Sequence, residues 1–384
     1  MQYFVTGATG FIGRRLVSRL LERKGATVHF LIRPESEAKV ADLHAFWGLH
    51  GARATARAVP VFGDLTDRKL GLDPTVIRSL KGKVDHFFHL AAVYDLGADE
   101  QTQMAVNVDG TRNVVELARA IDAGHFHHVS SIAAAGLYEG VFREDMFEEA
   151  ENYEHPYFRS KHESEAIVRK ECKLPWSVYR PAMVVGDSTT GEMDKIDGPY
   201  YFFKLIQRTR QLLPPWMPMI GLEGGRVNIV PVDFVVAAMD HIAHTEGLDG
   251  QTFHLANPES QRVGEVMNEF ARAGHAPQLA LRIDRRITDA LPKGTFSMLL
   301  KLPQVKDIRR AVLADYGIPD SVLENAAFKC QFDTRDAERA LEGTGISVPP
   351  LEDYATKLWD YWERNLDPDL FKDRSLEAAV NGRT

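Results

Sequence analysis

The sequence predicts an α/β protein: a Rossmann-type doubly wound parallel sheet, followed by a smaller, mostly helical C-terminal part that binds substrate. Three observations support this prediction. Apolar runs of strand length alternate with helical patterns as far as Gly186, a glycine-rich turn follows the first run, and the composition changes after Gly186. Because ligands bind at the carboxyl ends of the strands in such a sheet, the functional site is expected there.

The alternation is regular over the first half of the chain. Helical patterns, in which apolar residues recur every three or four positions, separate the apolar runs. Later in the chain a further strand, a helix and a short strand are expected at 227–232, 234–242 and 252–255. The six runs expected to form the main sheet are 3–5, 27–32, 58–62, 84–90, 126–130 and 176–185.

The composition divides the chain into a nucleotide-binding core and a substrate-binding part. Residues 1–186 are expected to form the Rossmann core, and residues 226–256 return to it. The substrate-binding part is expected at 187–225, which is rich in Gly, Pro, Met and aromatic residues, and at 257–364, which is mostly helical. Residues 365–384 are mostly polar and are expected to be a tail, either a frayed terminus or a linker to a further domain.

The bulk composition excludes several classes of protein. The chain has 384 residues, a net charge of −8 and a pI near 6.0, whereas nucleic-acid-binding proteins are basic. Two cysteines build no disulfide framework, which suits a reducing cytoplasm. No signal peptide is recognisable and no stretch approaches the ~18 apolar residues of a membrane span. The short apolar segments 212–220 and 296–303 suit core packing, the wall of an apolar pocket, or peripheral contact with a membrane.

The glycine-rich turn predicts a nucleotide site. Glycine lets the backbone approach a pyrophosphate closely, and the N-terminus of the following helix offers N–H groups and a positive dipole end. The spacing differs from the GxGxxG form, but its position between a strand and an amphipathic helix strengthens the prediction. The residues expected to contact the cofactor here are Thr6, Gly7, Thr9, Gly10, Phe11, Ile12 and Gly13.

The residues after the second and third strands indicate which cofactor is bound. An acidic residue after the second strand is typical of an NAD site, whereas this chain has Arg33, which suits a 2′-phosphate. Arg14 is a second candidate for binding that phosphate. NADPH is therefore the expected cofactor. Asp64 and Leu65, which follow the third strand, are expected at the adenine edge.

Tyr157 and Lys161 are the candidate acid–base pair. They are four residues apart, so on a helix they share one face. A phenol with a pKa of ~10 is a poor acid near neutrality, and a neighbouring lysine cation lowers that pKa. Ser131, the second residue of a Ser-Ser pair after the fifth strand, is expected to hydrogen-bond the carbonyl oxygen. The pattern predicts hydride exchange between a nicotinamide and a carbonyl.

A second Tyr-x-x-x-Lys match is Tyr200 and Lys204, so the pattern alone is weak. Position decides between the two. Tyr157 begins the helix after the strand that ends at the serine pair, where strand ends converge on the cofactor. Tyr200 lies in the aromatic stretch 199–203, which is expected to form a wall of the substrate pocket.

Three histidines, His125, His127 and His128, cluster in the fifth strand. A metal site needs a further converging ligand, and the nearest histidine pair of suitable spacing, His241 and His244, is far away in sequence. The three are therefore expected to face solvent at the start of the strand. No metal is assigned.

At these residues the chain resembles the extended short-chain dehydrogenase/reductases. The resemblance rests on TGATGFIG at 6–13, HLAA at 89–92, NVDGT at 107–111, the serine pair, YFRSK at 157–161 and RPAMVVG at 180–186. In that family the active serine lies five residues before a glycine, which favours Ser131 over Ser130. The resemblance also implies that Asn107 helps to organise the proton relay, and that Ala91 and Pro181 contact the cofactor together with Lys161.

A narrower resemblance covers nearly the whole chain. The stretches 85–94, 142–147 and 359–371 are similar to the N-terminal half of bacterial two-domain fatty acyl-CoA reductases. That resemblance implies an NADPH-dependent route from long-chain acyl-CoA through the aldehyde to the fatty alcohol, with a second reductase domain following this one. Single-domain reductases that resemble the second half stop at the aldehyde, so aldehyde reduction is assigned here. Reduction of the acyl thioester by this half stays open as an alternative.

Two other functions compete with this prediction. A steroid or sugar-nucleotide oxidoreductase or epimerase shares the same catalytic residues, although the apolar character of 199–220 and 283–303 disfavours a sugar. A non-catalytic NADPH-binding module that docks a partner domain is the other, and the intact Ser131, Tyr157 and Lys161 argue against it.

Overall fold

The structure is a computed structural model that describes residues 1–93, 99–153, 155–194, 196, 198–223, 225–284 and 330–370. The apolar segment expected at 296–303 and the end of the expected tail, 371–384, lie outside these residues. Among the helices described, none has the length and apolar character needed to cross a membrane.

Strands and helices alternate along the described chain. The strands are β1 (Gln2–Thr6), β2 (Thr27–Ile32), β3 (Ala58–Phe62), β4 (His86–His89), β5 (His125–Val129), β6 (Gly140–Phe142), β7 (Trp176–Pro181), β8 (Met183–Val185), β9 (Met219–Glu223), β10 (Arg226–Val227), β11 (Ile229–Pro231), β12 (Gln251–Leu255), β13 (Gln261–Arg262), β14 (Leu279–Asp284) and β15 (Cys330–Phe332). The α-helices are α1 (Phe11–Glu22), α2 (Lys39–Phe46), α3 (Ala52–Arg57), α4 (Pro74–Leu80), α5 (Glu100–Gln103), α6 (Gly110–Ala120), α7 (Pro156–Glu171), α8 (Phe203–Leu212), α9 (Val232–Ala243), α10 (Val263–Ala273), α11 (Arg335–Ala340) and α12 (Leu351–Asn365).

The main sheet has seven parallel strands in the order β3-β2-β1-β4-β5-β7-β12. The chain moves outward from β1 to β3 and then crosses to the other side of β1 with β4, so the strand order reverses between β1 and β4. This is the doubly wound arrangement, and ligands bind beyond the strand ends at such a reversal. The predicted fold class is confirmed.

Phenylalanines at the centre of the sheet anchor the helices on one face. Phe4, Phe87 and Phe126 lie on the neighbouring strands β1, β4 and β5 and are completely buried in one apolar cluster. Leu117 of α6 and Val168 of α7 belong to the same cluster. Full burial of such a side chain contributes about 1.5–3 kcal/mol, so this packing fixes where α7 lies.

The chain divides into two compact units. The first contains Met1–Ala182, Val232–Pro258 and the described residues of Lys329–Val348, and the second contains the described parts of the rest. The predicted division into core and substrate-binding part differs from these units at residues 183–186, 226–231, 257–258 and 330–348. Residues 330–348 belong to the first unit because β15 pairs with β6, and residues 226–231 belong to the second, where β11 pairs with β8. The sequence predicts one strand over 176–185, whereas β7 and β8 are separated at Ala182.

The second unit is held by an aromatic cluster. The ring of Phe203 on α8 lies 4.6 Å from Phe270 on α10 and 5.2 Å from Trp359 on α12, measured between ring centroids. Tyr200 and Phe203 are wholly buried. The sequence predicts a wall of the substrate pocket at 199–203, but these two side chains instead form the core of the unit. By contrast, Leu212 and Trp216 are exposed.

The first residues after α12 are held in place by contacts with α8. The buried Lys204 ammonium group lies 2.6 Å from an Asp367 carboxylate oxygen and 2.5 Å from an Asp369 carboxylate oxygen. Gln207 donates a hydrogen bond to Asp367 at 2.7 Å. The sequence predicts a tail from residue 365, whereas the chain is held in the second unit by these contacts at least to Asp369.

Glu144 joins three distant stretches of the first unit. One carboxylate oxygen accepts hydrogen bonds from the backbone N–H groups of His254 and Ala337 at 2.8 and 3.0 Å, and the other accepts from Asp336 N–H at 2.6 Å. Asp336 and Ala337 lie in the first turn of α11, so Glu144 accepts from two of the N–H groups that have no partner within the helix. Burial raises the pKa of Glu144 to about 7, while these hydrogen bonds lower it.

The histidines of β5 contradict the expectation that they face solvent. His127 is 0% exposed and lies between His86, 3.0 Å away, and the Tyr179 hydroxyl, 3.1 Å away. His128 is also buried, and only His125, at the start of the strand, is partly exposed. The reason is topological: β5 lies between β4 and β7 and is covered on both faces, so consecutive side chains are all buried.

Acid is expected to destabilise the first unit through these histidines. Burial lowers the pKa of His86 to about 4 and holds that of His127 well below its usual range. Between pH 6.5 and about 4 the unfolded chain therefore binds more protons than the folded chain, so stability falls as the pH falls. Each pKa unit corresponds to about 1.4 kcal/mol. Urea unfolding at pH 7.5 and 5.0 measures the loss of unfolding free energy. His127→Gln should make the free energy of unfolding less dependent on pH. If the dependence is undiminished in this variant, groups other than His127 cause it.

Candidate active site

The turn between β1 and α1 requires glycine at position 7. Its φ is +78°, and a Cβ there would lie 2.6 Å from the Ala91 backbone nitrogen, which follows β4. The Gly10 N–H donates a hydrogen bond to the Gly7 carbonyl oxygen at 3.0 Å and closes the turn. The turn therefore lies directly against the end of the neighbouring strand.

The N-terminus of α1 is suited to an anion. Gly10 caps the helix without a side-chain hydrogen bond, and its first turn contains no acidic residue. The free N–H groups and the helix dipole at such an end favour a phosphate. Gly13 is buried, and a Cβ there would lie 2.8 Å from the Gly7 carbonyl carbon. The cradle shaped by the two glycines fits the pyrophosphate of a dinucleotide.

Gly13→Ala is expected to weaken cofactor binding by at least about tenfold. The added methyl group would push the first turn of α1 away from Gly7 and disturb the N–H groups that face the phosphate. Fluorescence titration with NADPH measures the affinity. Gly25→Ala is the control, because it replaces a glycine of positive φ (+73°) in the loop after α1, where the added methyl group meets no atom within 4 Å. Equal affinities for both variants would contradict the assigned cradle.

Arg33 and Asp64 follow the ends of β2 and β3. The Arg33 side chain is 62% exposed, and its Nε lies 3.3 Å from a Glu35 oxygen. Asp64 accepts hydrogen bonds from the Thr66 N–H and hydroxyl, which hold its pKa below its usual range, and Arg33 adds to this effect. The structure thus places an exposed cation, paired with Glu35, and an ionised carboxylate beyond adjacent strands. The Leu65 carbonyl accepts a hydrogen bond from Asn113 at 2.9 Å.

A buried histidine ties the glycine turn to the rest of the site. His89, the last residue of β4, lies 2.7 Å from the Thr6 hydroxyl through Nδ1 and 3.0 Å from the Thr111 hydroxyl through Nε2. The Thr6 hydroxyl, predicted to contact the cofactor, is therefore engaged inside the protein. The Ala91 N–H also donates to it, at 3.4 Å. Pro181, at the end of β7, is buried and lies opposite Leu255 of β12.

Tyr157 and Lys161 lie on the first turns of α7. The helix begins at Pro156, and the His155 side chain accepts a hydrogen bond from the Tyr157 N–H at 3.3 Å. Tyr157 is partly exposed, whereas Lys161 is 6% exposed. Burial lowers the pKa of Lys161 to about 8, and Glu165, one turn further along the helix, opposes that shift. The pair thus consists of an accessible phenol and a buried cation.

The two serines after β5 differ in environment. The Ser131 hydroxyl accepts a hydrogen bond from the Ala133 N–H at 3.1 Å and caps the 3-10 helix Ile132–Ala135, which packs against α7. Ser131 is partly exposed, whereas Ser130 is buried. Gly136 has a φ of +63°, and a Cβ there would lie 3.0 Å from the Tyr153 Cβ, which explains the glycine five residues after Ser131.

Asn107 braces the segment after β4 against α7. It lies in the π-helix Met104–Asp109. Its side-chain oxygen accepts from the Val93 N–H at 2.7 Å, and its amide donates to the Val93 carbonyl and to the Ser160 hydroxyl at 2.8 and 3.0 Å. The described contacts of its side chain are structural, and they position the helix that carries Tyr157 and Lys161.

An ion-pair network between α7 and β7 was not predicted. Arg180 on β7 binds both carboxylate oxygens of Glu165, at 3.0 and 2.6 Å, and its remaining donors lie 3.1 Å from His254 Nε2 and 2.9 Å from the Met146 carbonyl. Arg180 and Glu165 are wholly buried, and Arg169 also donates to Glu165, at 2.8 Å. A signal existed in the sequence: residues 157, 161, 165 and 169 are spaced four apart and share one helix face.

The second Tyr-x-x-x-Lys match serves the packing of the second unit. The Tyr200 hydroxyl accepts a hydrogen bond from the Gly186 N–H at 3.0 Å, and Lys204 is held by the two aspartates after α12. Both groups are thus engaged within the core. Among the described residues, no group of three or more His, Cys, Asp or Glu side chains is arranged to hold a metal ion.

Comparisons with known proteins identify the family of this chain. The NAD-binding family described as male sterility protein matches residues 5–239. A non-canonical nonribosomal peptide synthetase of Aspergillus hancockii is 31% identical over 287 residues, which cover 71% of this chain and 28% of that protein. An aldehyde reductase of Aspergillus flavus is 31% identical over 271 residues, which cover 66% of this chain and 26% of that protein. The chain thus spans about a quarter of the length of these relatives.

Solved structures share the fold. The terminal R domain from the myxalamid PKS-NRPS biosynthetic pathway has a TM-score of 0.74 and 24% identity, covering 96% of this chain and 92% of that one. UDP-glucuronic acid 4-epimerase from Bacillus cereus, in complex with NAD, has a TM-score of 0.62 and 18% identity, covering 95% and 99%. At these identities the likeness concerns the fold alone.

Proposed function

Because the chain belongs to the male sterility family of NAD-binding proteins, within the extended short-chain dehydrogenase/reductases, we propose that it is an NADPH-dependent reductase that converts long-chain fatty aldehydes to fatty alcohols. The observation that carries the proposal is the pairing of an accessible Tyr157 with a buried Lys161 on one face of α7. A binding module without catalysis has no use for a buried cation beside an accessible phenol.

Each catalytic side chain has a role that follows from its surroundings. A nicotinamide cofactor bound at the glycine turn would supply the hydride for the carbonyl carbon. Tyr157 donates its proton to the carbonyl oxygen, and Ser131 donates a hydrogen bond to the same oxygen. The Lys161 cation stabilises the phenolate that Tyr157 becomes. Asn107 keeps α7 in place through Ser160.

NADPH rather than NADH is proposed because an arginine, not an acid, follows β2. The exposed Arg33 guanidinium group suits a 2′-phosphate. To bind that phosphate, Arg33 must give up or share its contact with Glu35. The fatty substrate is proposed from the resemblance to two-domain fatty acyl-CoA reductases. A second reductase domain following this one is proposed from the same resemblance.

Reduction of an acyl thioester is a second candidate. A curated relative supports it, since the similar protein of A. hancockii is a non-canonical nonribosomal peptide synthetase. The same residues serve both reactions, because each adds a hydride to a carbonyl carbon and stabilises the oxygen. The substrate, not the residues, therefore distinguishes the two.

The deciding experiment is NADPH oxidation by this purified chain with a long-chain aldehyde and, separately, with the matching acyl-CoA. Oxidation with the aldehyde alone supports the primary proposal, and oxidation with acyl-CoA supports the second candidate. UDP-glucuronic acid with NAD, and a steroid ketone, test the remaining rivals. NADH in place of NADPH tests the cofactor. Tight NADPH binding without turnover of any substrate would favour a docking module.

The rate of reduction is expected to fall as the pH rises through about 8. Lys161 must be charged to stabilise the phenolate, and burial lowers its pKa to about 8. Below that pH the lysine is protonated and kcat is on its plateau; above it the cation, and with it the stabilisation, is lost. A pH profile of kcat with saturating NADPH and aldehyde measures this limb. A flat profile up to pH 10 would contradict the assigned role.

A further inference from the structure

Two buried polar side chains near Lys161 have no hydrogen-bond partner among the residues that the structure describes. His128 is 3% exposed and both of its ring nitrogens are unpartnered, and the Ser130 hydroxyl, 4% exposed, is unpartnered as well. Native proteins seldom leave buried polar groups without a hydrogen bond, because each unpaired group lowers the stability of the fold. Such groups normally bond to protein atoms or to internal water. Three polar atoms in one place therefore require an account.

The His128 side chain faces α7. Phe126, two residues before His128 on β5, packs in the apolar cluster with Val168 of α7. Side chains alternate along a strand, so His128 points to that same face, and Ser130 follows two residues later, directly after the strand. The charged residues that shift the pKa of His128 all belong to α7: Lys161, Glu165 and Arg169.

The neighbouring histidine, His89, does not supply a hydrogen-bond partner for His128. The ring of His89 lies 5.4 Å from that of His128, but its two nitrogens are taken by Thr6 and Thr111. Lys161, whose charge acts on both His128 and His89, is buried as well and carries three N–H donors. The region between β5 and α7 therefore contains a donor-only cation, a hydroxyl and an imidazole.

We propose that His128, Ser130 and the Lys161 ammonium group enclose an internal water site between β5 and α7, and that His128 acts through this water as a positioning residue that keeps Lys161 charged. A buried water makes about three hydrogen bonds, which matches one ammonium donor, one hydroxyl and one imidazole nitrogen. The inference rests on the role of Lys161 in the proposed function, and it adds a residue and a ligand that this function does not require.

The protonation states are consistent with this arrangement. Burial, with the Lys161 charge, lowers the pKa of His128 to about 3, so its ring is neutral at physiological pH and offers an acceptor nitrogen. A water that donates to this nitrogen presents its oxygen to the ammonium group. The other titratable groups around Lys161 are His89 on β4, and Tyr157 and Glu165 on α7.

The test is the pH profile of aldehyde reduction by the full chain. His128→Leu replaces the ring by an apolar side chain of similar size, and it should move the alkaline limb of kcat to lower pH by about 0.5–1 unit. Ser130→Ala should move it in the same direction by less. His128→Gln, which keeps an acceptor, should leave the limb close to its position in the native protein. A high-resolution crystal structure should show a water between the three groups.

His127→Leu is the matched control, because it makes the same change one residue away on the opposite face, where both ring nitrogens have partners. It should lower the melting temperature without moving the limb. An unmoved limb in His128→Leu and Ser130→Ala overturns the inference. A raised melting temperature in His128→Leu would then show that the pocket is dry. Retained activity of Tyr157→Phe would instead overturn the proposed function, so the two failures are distinguishable.

Discussion

Tyr157→Phe is expected to lower kcat for aldehyde reduction by about 10²- to 10⁴-fold, the usual contribution of a positioned general acid. The variant keeps the ring and removes the only atom that donates the proton. NADPH binding should be unchanged, because the glycine turn and the N-terminus of α1 lie outside α7. Steady-state kinetics with saturating aldehyde measure the loss, and fluorescence titration measures the cofactor affinity.

Tyr200→Phe is the matched control. It removes a hydroxyl from the competing Tyr-x-x-x-Lys match, where that oxygen accepts a hydrogen bond from the Gly186 N–H. Leaving that N–H unpaired should lower stability by about 1–3 kcal/mol while kcat is retained. Unchanged turnover in Tyr157→Phe, or an equal loss in both variants, would refute the assignment of Tyr157.

Arg180→Met is expected to destabilise the first unit by about 3–5 kcal/mol. The substitution leaves the Glu165 carboxylate buried with Arg169 as its remaining cation. In the native protein these arginines hold the pKa of Glu165 far below its usual range, although burial alone raises it. Urea unfolding followed by circular dichroism measures the change in the free energy of unfolding.

Arg159→Met is the control for this prediction. Arg159 pairs with Glu163 four residues along the same helix, but on its exposed side, and such pairs contribute about 0–1 kcal/mol. Adding Glu165→Leu to Arg180→Met removes the uncompensated charge and should recover part of the loss. If Arg180→Met were no worse than Arg159→Met, the buried network would not be what holds α7.

The parts of the fold that follow from local pattern were predictable. Strands β2 and β3 begin and end at the expected residues, because buried parallel strands appear as short, continuous apolar runs. The end of β7 was not predictable in this way. The apolar run continues through Ala182, but β8 leaves the main sheet to pair with β11, and the partner of a strand is not encoded in its own sequence.

In the candidate site, too, the features that follow from local sequence were predictable and those that depend on distant residues were not. Glycines 7 and 13 are required by backbone geometry, so their pattern indicates the turn directly. The roles of His89, His128 and Arg180 depend on burial by elements far away in sequence, and histidine or arginine on a strand is more often at the surface. The solvent-facing interpretation of the β5 histidines was wrong for that reason.

Glu144 has a consequence for biosynthesis. Its carboxylate accepts hydrogen bonds from the backbone of His254, Asp336 and Ala337. These residues follow it in the chain by 110, 192 and 193 positions. A ribosome makes the chain from the N-terminus, so Glu144 has no partners for most of the time that the main sheet is forming. Contacts of such long sequence separation close late, because the loop must be completed before they are gained. Translation therefore limits the order of assembly, because the first unit can reach its native state only after α11 has emerged from the ribosome.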